Sequence, residues 1–361
     1  MRETGEKSNW FERNPKKTLL AVTLLGIIVV IALLELGASV FLPGWGAVWE
    51  ETVDFWVYDE QLGWAHKKEA RGDFKHRDFS IRVRINSRGL RDSEYPLDRT
   101  EEKRMLVLGD SFGWGYGVEE NEIFCEVIES RHPDWEIINA SVSGYGTDQQ
   151  LLYFRDRGIR YMPDVVLLLF TETDFLNNVS DEQYWHCKPV FYLKDGNLIL
   201  QNTPVPKPAL LQRLDRFFYG KTYFLKRIYL QFRMLGNRLG TAKKPVFEER
   251  GEGSLSKDET VSDKPKYRYT IAKRLLSEIH NLSKQIGARF VLVSTPLAVE
   301  DRGVLEDFCT QENVPYLPLD DSYSNIEEKV TFTNDEHWNP RGHEIAAAAV
   351  ERFLRRLEIF E

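Results

Sequence analysis

The stretch Leu106–Phe112, with the sequence LVLGDSF, decides the fold of this chain. Its short apolar run predicts a buried strand, and a glycine, an aspartate and a serine follow directly. Far along the chain, Asp335–His343 reads DEHWNPRGH and spans a predicted helix start. A serine hydroxyl is a weak nucleophile until a base removes its proton, and an imidazole is a good base when a third group fixes its tautomer. Ser111, His337 and Asp335 are therefore candidates for one catalytic site.

Length and composition describe an ordinary globular protein with room for one sizeable catalytic domain. The chain has 361 residues, of which 42% are hydrophobic and 29% are charged. Its net charge of -8 argues against a nucleic-acid partner. Cys125, Cys187 and Cys309 are widely spaced and form neither a CxxC metal pattern nor a disulfide framework. We predict that the protein uses no metal and no organic cofactor.

The N-terminal part contains a long apolar segment, Leu19–Leu42. As a helix it would span about 36 Å, enough to cross the hydrocarbon of a membrane. Basic residues cluster before this segment and the next one is Lys67, an asymmetry that keeps the N-terminus in the cytoplasm. We predict a cytoplasmic tail (1–18), a single-pass anchor in inner-membrane lipid (19–42) and a catalytic part on the periplasmic or extracellular side. A cleaved signal peptide is the alternative, although no A-x-A site follows.

Beyond the anchor, the pattern predicts a polar lead-in and then an α/β domain. The lead-in, residues 44–103, has a strand pattern at Ile81–Asn86 and is interpreted as a β-rich flap packed on the domain. Residues 104–361 alternate short apolar runs with amphipathic stretches, which indicates a parallel sheet covered on both faces. The predicted strands are Met105–Leu108, Glu136–Asn139, Val165–Phe170, Phe290–Ser294 and Tyr316–Leu319. The predicted helices are Ile123–Arg131, Thr147–Arg157, Tyr267–Ile286, Val304–Glu312 and Pro340–Leu357.

An insertion, residues 181–265, interrupts this alternation and is far longer than an ordinary loop. Its middle, Leu211–Leu235, is aromatic and basic. A helix of that composition is suited to an anionic membrane surface or to closing over a substrate, and a structural cover for the sheet is an equal alternative. Lys243–Lys264 is charged and rich in Ser, Glu and Gly, which predicts a disordered loop.

Polar loops follow the predicted strands at the point where each strand ends. In an open parallel sheet, ligands bind at the carboxyl ends of the strands. Four loops are therefore expected to meet on one rim: Gly109–Ser111, Asn139–Gly146, Thr171–Phe175 and Asp335–His337.

These four blocks, in this order, resemble the SGNH (GDSL-type) hydrolase superfamily. The GDSF at Gly109–Phe112, the glycine loop at Gly144, the block that ends in Asp174 and the D-x-H near the C-terminus carry the resemblance. It covers roughly Tyr58–Leu357, since the lead-in also looks like that of membrane-anchored bacterial members. The resemblance implies a flavodoxin-like three-layer α/β/α fold and ester chemistry.

The resemblance also implies a role for each member of the triad. Ser111 would be the nucleophile, His337 would take its proton and return it to the leaving alcohol, and Asp335 would orient His337. The family's commoner spacing places the aspartate three residues before the histidine, where this chain has Asn334. A D-x-H spacing also occurs in the superfamily, and we expect Asp335 to act.

The oxyanion hole would use the backbone N–H groups of Ser111 and Gly144. The third donor departs from the family pattern G-x-N-D, because Thr173 stands at the position of the asparagine. A threonine hydroxyl still donates one hydrogen bond. The alternatives are that Asn177 or Asn178 substitutes, or that the chain is a degenerate member.

Three other function classes are alternatives to a serine esterase. The glycines from Gly109 to Gly117 fit neither nucleotide-binding motif and no lysine accompanies them. Transfer of the acyl group to a sugar hydroxyl, as in envelope polysaccharide O-acyltransferases, would use the same triad. A non-catalytic envelope scaffold is the third alternative, favoured by Thr173. The sequence thus predicts a membrane-anchored serine esterase acting on an acyl ester, with carbohydrate as a candidate carrier of the acyl group.

Overall fold

The computed structural model describes most of the chain and places it in two compact units. Residues 1–48 with 213–243 form one unit, and residues 49–212 with 244–361 form the other. The described residues are 9–41, 49–51, 54–99, 102–184, 186–207, 264–324 and 326–361, together with 222, 224, 225, 227, 228 and 231.

In the first unit, a short helix α1 (Trp10–Arg13) leads into the long helix α2 (Pro15–Phe41). Among the described residues, α2 is the one helix long and apolar enough to cross a membrane, a test that a signal sequence near the N-terminus also passes. It contains most of the predicted segment and begins earlier, at Pro15, a residue favoured in the first helical turn. The Glu35 carboxylate accepts hydrogen bonds from the backbone N–H groups of Phe224 (3.2 Å) and Leu225 (2.7 Å) within the same unit.

The second unit begins with small antiparallel sheets built from the lead-in. One sheet has the order β1-β4-β5, and β2 pairs with β3. Phe74, Ile81 and Val83 from β4 and β5 bury their side chains against Trp114 of the domain that follows. The strands are β1 (Trp49–Glu51), β2 (Trp56–Asp59), β3 (Gly63–His66), β4 (Arg71–His76) and β5 (Ser80–Arg84).

The rest of the unit alternates strands and helices as the sequence predicts. The first part comprises β6 (Lys103–Leu108), α3 (Ser111–Trp114), α4 (Phe124–Arg131), β7 (Trp135–Asn139), α5 (Thr147–Asp156), β8 (Val165–Phe170) and α6 (Glu172–Asn177), with 3-10 turns at Glu120–Glu122 and Gly158–Tyr161. Two hairpins follow, β9 (Glu182–Gln183) with β10 (His186–Cys187) and β11 (Val190–Lys194) with β12 (Asn197–Gln201). The last part comprises α7 (Lys264–Gln285), β13 (Arg289–Ser294), α8 (Val299–Glu312), β14 (Tyr316–Pro318), α9 (Asp320–Ser324) and α10 (Pro340–Arg356).

Five parallel strands form the central sheet in the order β14-β13-β8-β6-β7. Numbered along the chain, this is the flavodoxin-like order 2-1-3-4-5. Successive residues of β6 pack alternately into the two apolar layers of the fold. Leu106 and Leu108 pack with α5, α7 and α8, whereas Met105 and Val107 pack with α4 and α10. The expected three-layer α/β/α fold is confirmed.

Two of the differences between the predicted and the observed helix boundaries have local reasons. α7 ends at Gln285, one residue before the predicted end at Ile286, because the chain turns at Gly287, whose φ is +77°. Ile286 is accordingly 38% exposed. α8 begins at Val299, earlier than predicted, with acidic residues in its first turn that suit a helix N-terminus. The predicted helix Leu211–Leu235 and loop Lys243–Lys264 lie almost wholly outside the described residues.

A buried histidine in the lead-in predicts a pH-dependent stability. Burial lowers the pKa of His66 from its ordinary 6.5 to about 4, although its Nδ1 contacts the Gly89 carbonyl at 3.0 Å. The unfolded chain therefore binds more protons than the folded one between these values, so His66 stabilises the fold above pH 6.5 and loses that effect as pH falls toward 4. From pH 7 to pH 5, we expect His66 to lower the free energy of unfolding by about 2 kcal/mol. Urea unfolding of the parent and of His66→Phe at both pH values tests this; the same fall in both proteins would contradict it.

Candidate active site

The candidate site lies at the topological switch point of the sheet. The chain leaves β6 toward β7 on one side and returns to β8 on the other, so the loops after β6 and β8 diverge there. Such a crevice at the carboxyl ends of parallel strands is where ligands bind in open α/β sheets. Ser111 follows β6 and Thr173 follows β8.

Ser111 is the first residue of the short helix α3 and is presented at a tight strand-to-helix turn. Asp110 caps this helix, because its Oδ1 accepts the N–H of Phe112 at 2.9 Å. Gly113 allows the neighbouring loop to lie close, since a Cβ on this glycine would stand 2.3 Å from Ser141 Oγ. Ser111 itself is 6% exposed, so only a narrow part of it faces solvent.

Ser111, His337 and Asp335 form one hydrogen-bonded chain. His337 Nε2 lies 2.7 Å from Ser111 Oγ, and His337 Nδ1 lies 2.5 Å from Asp335 Oδ1. The same carboxylate oxygen accepts the backbone N–H of His337 at 2.9 Å, which fixes the D-x-H turn. The imidazole stands between the rings of Phe112 and Tyr116, with centroid separations of 4.8 and 4.3 Å.

The charge state of Asp335 follows from these contacts. Partial burial acts to raise the pKa of its carboxyl, but the hydrogen bonds from the His337 ring and backbone outweigh burial and lower it. Asp335 is therefore ionised at neutral pH and accepts the Nδ1 proton. That tautomer leaves Nε2 without a proton and able to accept one from Ser111.

The loop between β7 and α5 carries Gly144 in a left-handed conformation, with φ +82°. A Cβ there would lie 2.5 Å from the ring of Tyr184, so the position requires glycine for both reasons. Trp64 fixes the loop on either side: its Nε1 donates to the Ser143 carbonyl at 3.1 Å, and its own carbonyl accepts the Tyr145 hydroxyl at 2.5 Å. The predicted oxyanion glycine is thus held by the lead-in.

The loop after β8 joins Thr173 to the serine turn through Thr171. The two hydroxyl oxygens lie 2.9 Å apart, and Thr171 Oγ1 also lies 2.9 Å from Asp110 Oδ2. Thr171 is buried, whereas Thr173 is exposed on the rim. Burial, and then the charge of Asp110, raise the pKa of Asp174, which lies 3.2 Å from the same Thr171 hydroxyl. Thr173 is therefore tethered to the loop of Ser111 yet open to a substrate.

The alternative amide donors, Asn177 and Asn178, have buried side chains. Asn178 Oδ1 accepts the backbone N–H of Asp148 at 3.1 Å, and both side chains crowd Gly146, which lies beyond the oxyanion glycine. Their positions under the α5 N-terminus favour Thr173 as the residue that faces the substrate. His343, predicted to pack in the first turn of its helix, is buried with its Nδ1 3.3 Å from the Phe124 N–H.

Side chains of the lead-in contact the loops of the candidate site, which the strand pattern of the lead-in does not indicate. Both oxygens of Asp78 accept hydrogen bonds from Asn334, from its backbone N–H at 2.7 Å and its side-chain amide at 2.6 Å. Asn334 is adjacent to Asp335, so Asp78 supports the triad loop. Asp92 accepts the N–H of Asn139 at 2.7 Å, at the end of β7.

Arg91, next to Asp92, supports the loop after the serine helix. Its fully buried guanidinium donates to the carbonyls of Trp114 (3.2 Å), Gly115 (2.6 Å) and Val118 (2.6 Å). Burial lowers the pKa of Arg91 to about 10, and it remains a cation at neutral pH. The segment Ile85–Arg91 belongs to the lead-in that carries part of the family resemblance, and its polar pattern gives no sign that Arg91 is buried.

Among the residues that the structure describes, no group of three or more His, Cys, Asp or Glu side chains is arranged to hold a metal ion. Cys125 and Cys309 are buried and Cys187 is partly buried, and none of the three forms a disulfide.

Several solved structures are similar to this chain, all at low sequence identity. No protein-family model and no curated protein matches the chain. The chain is similar to the esterase EstA from Pseudoalteromonas sp., with 11% identity, a TM-score of 0.38 and coverage of 71% of this chain and 99% of that one. It is similar to a GDSL-like lipase from Bacteroides thetaiotaomicron, with 12% identity, a TM-score of 0.36 and coverage of 73% and 93%. It is also similar to a two-domain esterase active on acetylated mannans, with 11% identity, a TM-score of 0.39 and coverage of 72% and 50%. At such identities and TM-scores these likenesses carry no inference about function, which rests on the site geometry.

Proposed function

We propose that this protein is a serine esterase of the SGNH type that cleaves an acyl ester. The observation that supports the proposal is the hydrogen-bonded chain from Ser111 Oγ through His337 to the Asp335 carboxylate. The three groups come from loops at one end of a flavodoxin-like sheet, where substrates of such folds bind. Acylated carbohydrate is the substrate class to test first.

In the proposed reaction, Ser111 Oγ attacks the acyl carbon while its proton passes to His337 Nε2. The new C–O bond forms as the carbonyl electron pair moves onto oxygen. When that pair returns, the bond to the alcohol oxygen breaks, and the alcohol takes the proton from His337. Water then attacks the acyl-serine with His337 again as the base, which releases the acid and restores Ser111. Asp335 stays ionised and stabilises the imidazolium in both halves.

The oxyanion of each tetrahedral intermediate would be bound by the N–H groups of Ser111 and Gly144 and by the Thr173 hydroxyl. Thr173 lies on the exposed side of the loop, linked to Asp110 through Thr171. Hydrogen-bond donors held in place before the reaction stabilise the developing charge without reorganisation. The Thr173 hydroxyl is the one donor of the three on a side chain, and its contact with Thr171 Oγ1 at 2.9 Å holds it in place.

Water is the proposed acyl acceptor because the base is open to solvent. The side chains of His337 and Asp335 are 23% and 19% exposed, so water can approach Nε2 after the alcohol leaves. Transfer to a sugar would require that water be excluded.

The test uses p-nitrophenyl acetate, with an oligosaccharide of glucose as competing acceptor. An esterase releases acetate equal to nitrophenolate with or without the sugar, and Ser111→Ala releases neither above background. Acetylated sugar as the main product would instead establish the acyltransferase. Absence of nitrophenolate release by the folded protein would count against both.

We also propose that α2 anchors the protein in the inner-membrane lipid, with the catalytic unit on the periplasmic or extracellular side. The basic residues that precede the apolar segment support this orientation. We expect a periplasm-active reporter fused after Glu361 to be active and the protein to resist extraction by salt and alkali. Soluble release with a new N-terminus near Pro43 would show a cleaved signal peptide instead.

A further inference from the structure

A tyrosine at the tip of a short hairpin lies against the oxyanion loop. Tyr184 joins β9 to β10, with a left-handed φ of +47°. A Cβ built on Gly144 would stand 2.5 and 2.9 Å from two carbons of the Tyr184 ring. The ring edge is therefore in van der Waals contact with the surface of Gly144, and no substrate atom can pass between them.

The charges of two acids of the candidate site act on the same tyrosine. Burial raises the pKa of the Tyr184 phenol, and the negative charges of Asp110 and Asp335 raise it further. Those two acids flank the serine turn and the triad histidine. About half of Tyr184 is exposed, so the residue borders the open rim of the site.

The hairpin that carries Tyr184 is held firmly at its base. Lys188 is fully buried, and its ammonium group donates to the Asp148 carboxylate and to the carbonyls of Asn177 (2.9 Å), Ser180 (3.1 Å) and Pro189 (3.1 Å). A buried cation with this many acceptors fixes the backbone around it. Tyr184 is therefore a fixed wall of the site.

The proposed chemistry indicates which part of the substrate would lie beside Tyr184. The leaving alcohol must depart beside His337 Nε2, which protonates it, on the side flanked by Phe112 and Tyr116. The carbonyl oxygen is directed at Gly144. The remaining substituent of the acyl carbon would then point away from His337 and pass Gly144, against which the Tyr184 ring lies.

We propose that Tyr184 is a specificity-determining residue that restricts the enzyme to short acyl groups, acetyl above all. This inference rests on the proposed esterase function. A long acyl chain would have to displace either the Tyr184 ring or the oxyanion loop. Removal of the ring should open the site, while removal of the hydroxyl alone should not.

The test uses p-nitrophenyl phosphonates that carry a methyl or an octyl group on phosphorus, with the rate of inactivation followed by nitrophenolate release and intact mass. In this reaction the Ser111 oxygen–phosphorus bond forms, nitrophenolate leaves and the serine proton passes to His337. We expect the methyl compound to inactivate the parent at least about tenfold faster than the octyl compound. Tyr184→Ala and Tyr184→Leu should reduce that ratio by about tenfold, and Tyr184→Phe should keep it.

If both compounds inactivate the parent at equal rates, or if the ratio is unchanged in Tyr184→Ala and Tyr184→Leu, Tyr184 does not determine specificity. Modification of Ser111 in the same experiment would still support the esterase. A parent that neither compound modifies would overturn the proposed function, and this inference with it.

Discussion

Replacement of His337 by alanine should lower kcat/KM for p-nitrophenyl acetate by about 10⁴- to 10⁶-fold. His337 Nε2 is 2.7 Å from Ser111 Oγ, so without the imidazole the serine keeps its proton and reacts only as a neutral hydroxyl. Ser111→Ala should cost a similar factor, because the two residues act as one unit. Asp335→Asn should reduce kcat by about 10⁴-fold, since an amide beside Nδ1 favours the wrong tautomer.

Glu336→Gln is the matched control, because Glu336 stands between Asp335 and His337 in the sequence and is exposed. We expect its kcat/KM to stay within about twofold of the parent, as surface substitutions usually have small effects. Circular dichroism and urea unfolding of each variant separate loss of catalysis from loss of fold. A His337→Ala protein that is folded and as active as the parent would contradict the triad.

Replacement of Thr173 by valine should lower kcat by about tenfold to a thousandfold, or roughly 1.4–4 kcal/mol of transition-state stabilisation. Valine keeps the shape of threonine but has no hydroxyl, so the third oxyanion donor is lost. KM should change less than kcat, because this hydrogen bond strengthens only as charge develops on the carbonyl oxygen. Steady-state kinetics with p-nitrophenyl acetate measures both constants.

Two variants of the same position sharpen this test. Thr173→Ser retains a hydroxyl and should keep most of the activity, and Thr173→Asn should keep or raise it, because it supplies the longer amide donor of the family pattern. The hydrogen bond between Thr173 and Thr171 gives one further expectation, that the serine variant loses some activity as its smaller side chain is held less firmly. If Thr173→Val turns over as fast as the parent, Thr173 is not an oxyanion donor.

The strands of the central sheet could be predicted from the sequence, because each is marked by its own short run of apolar residues. A run such as Val165–Phe170 is continuously apolar, and the structure buries every residue of it as β8. The residues of the candidate triad could be named for the same reason: Ser111 directly follows a strand, and Asp335 and His337 are two positions apart. The hydrogen bond from Ser111 to His337 joins segments far apart in the chain, and only the fold brings them together.

The support of the site could not be predicted, because it depends on contacts between distant segments. Arg91 reads as a surface residue in a polar stretch, yet it is fully buried against three carbonyls of the loop after Ser111. Asp78 likewise stands in a charged turn and binds Asn334. Tyr184 belongs to the insertion, and no sequence pattern there indicates that its ring packs against Gly144. In each case the contact joins segments far apart in the chain, so it follows from tertiary packing and not from the local residue pattern.

The central claim is that Ser111 is activated as a nucleophile by His337, and reaction with a fluorophosphonate tests it whatever the natural substrate. We expect one covalent label on the parent, located at Ser111 by peptide mass spectrometry. The label should be absent from Ser111→Ala, and its rate of formation should fall at least about a thousandfold in His337→Ala. Folded parent protein that takes no label, or that is labelled at another residue, would contradict the account and favour a non-catalytic role.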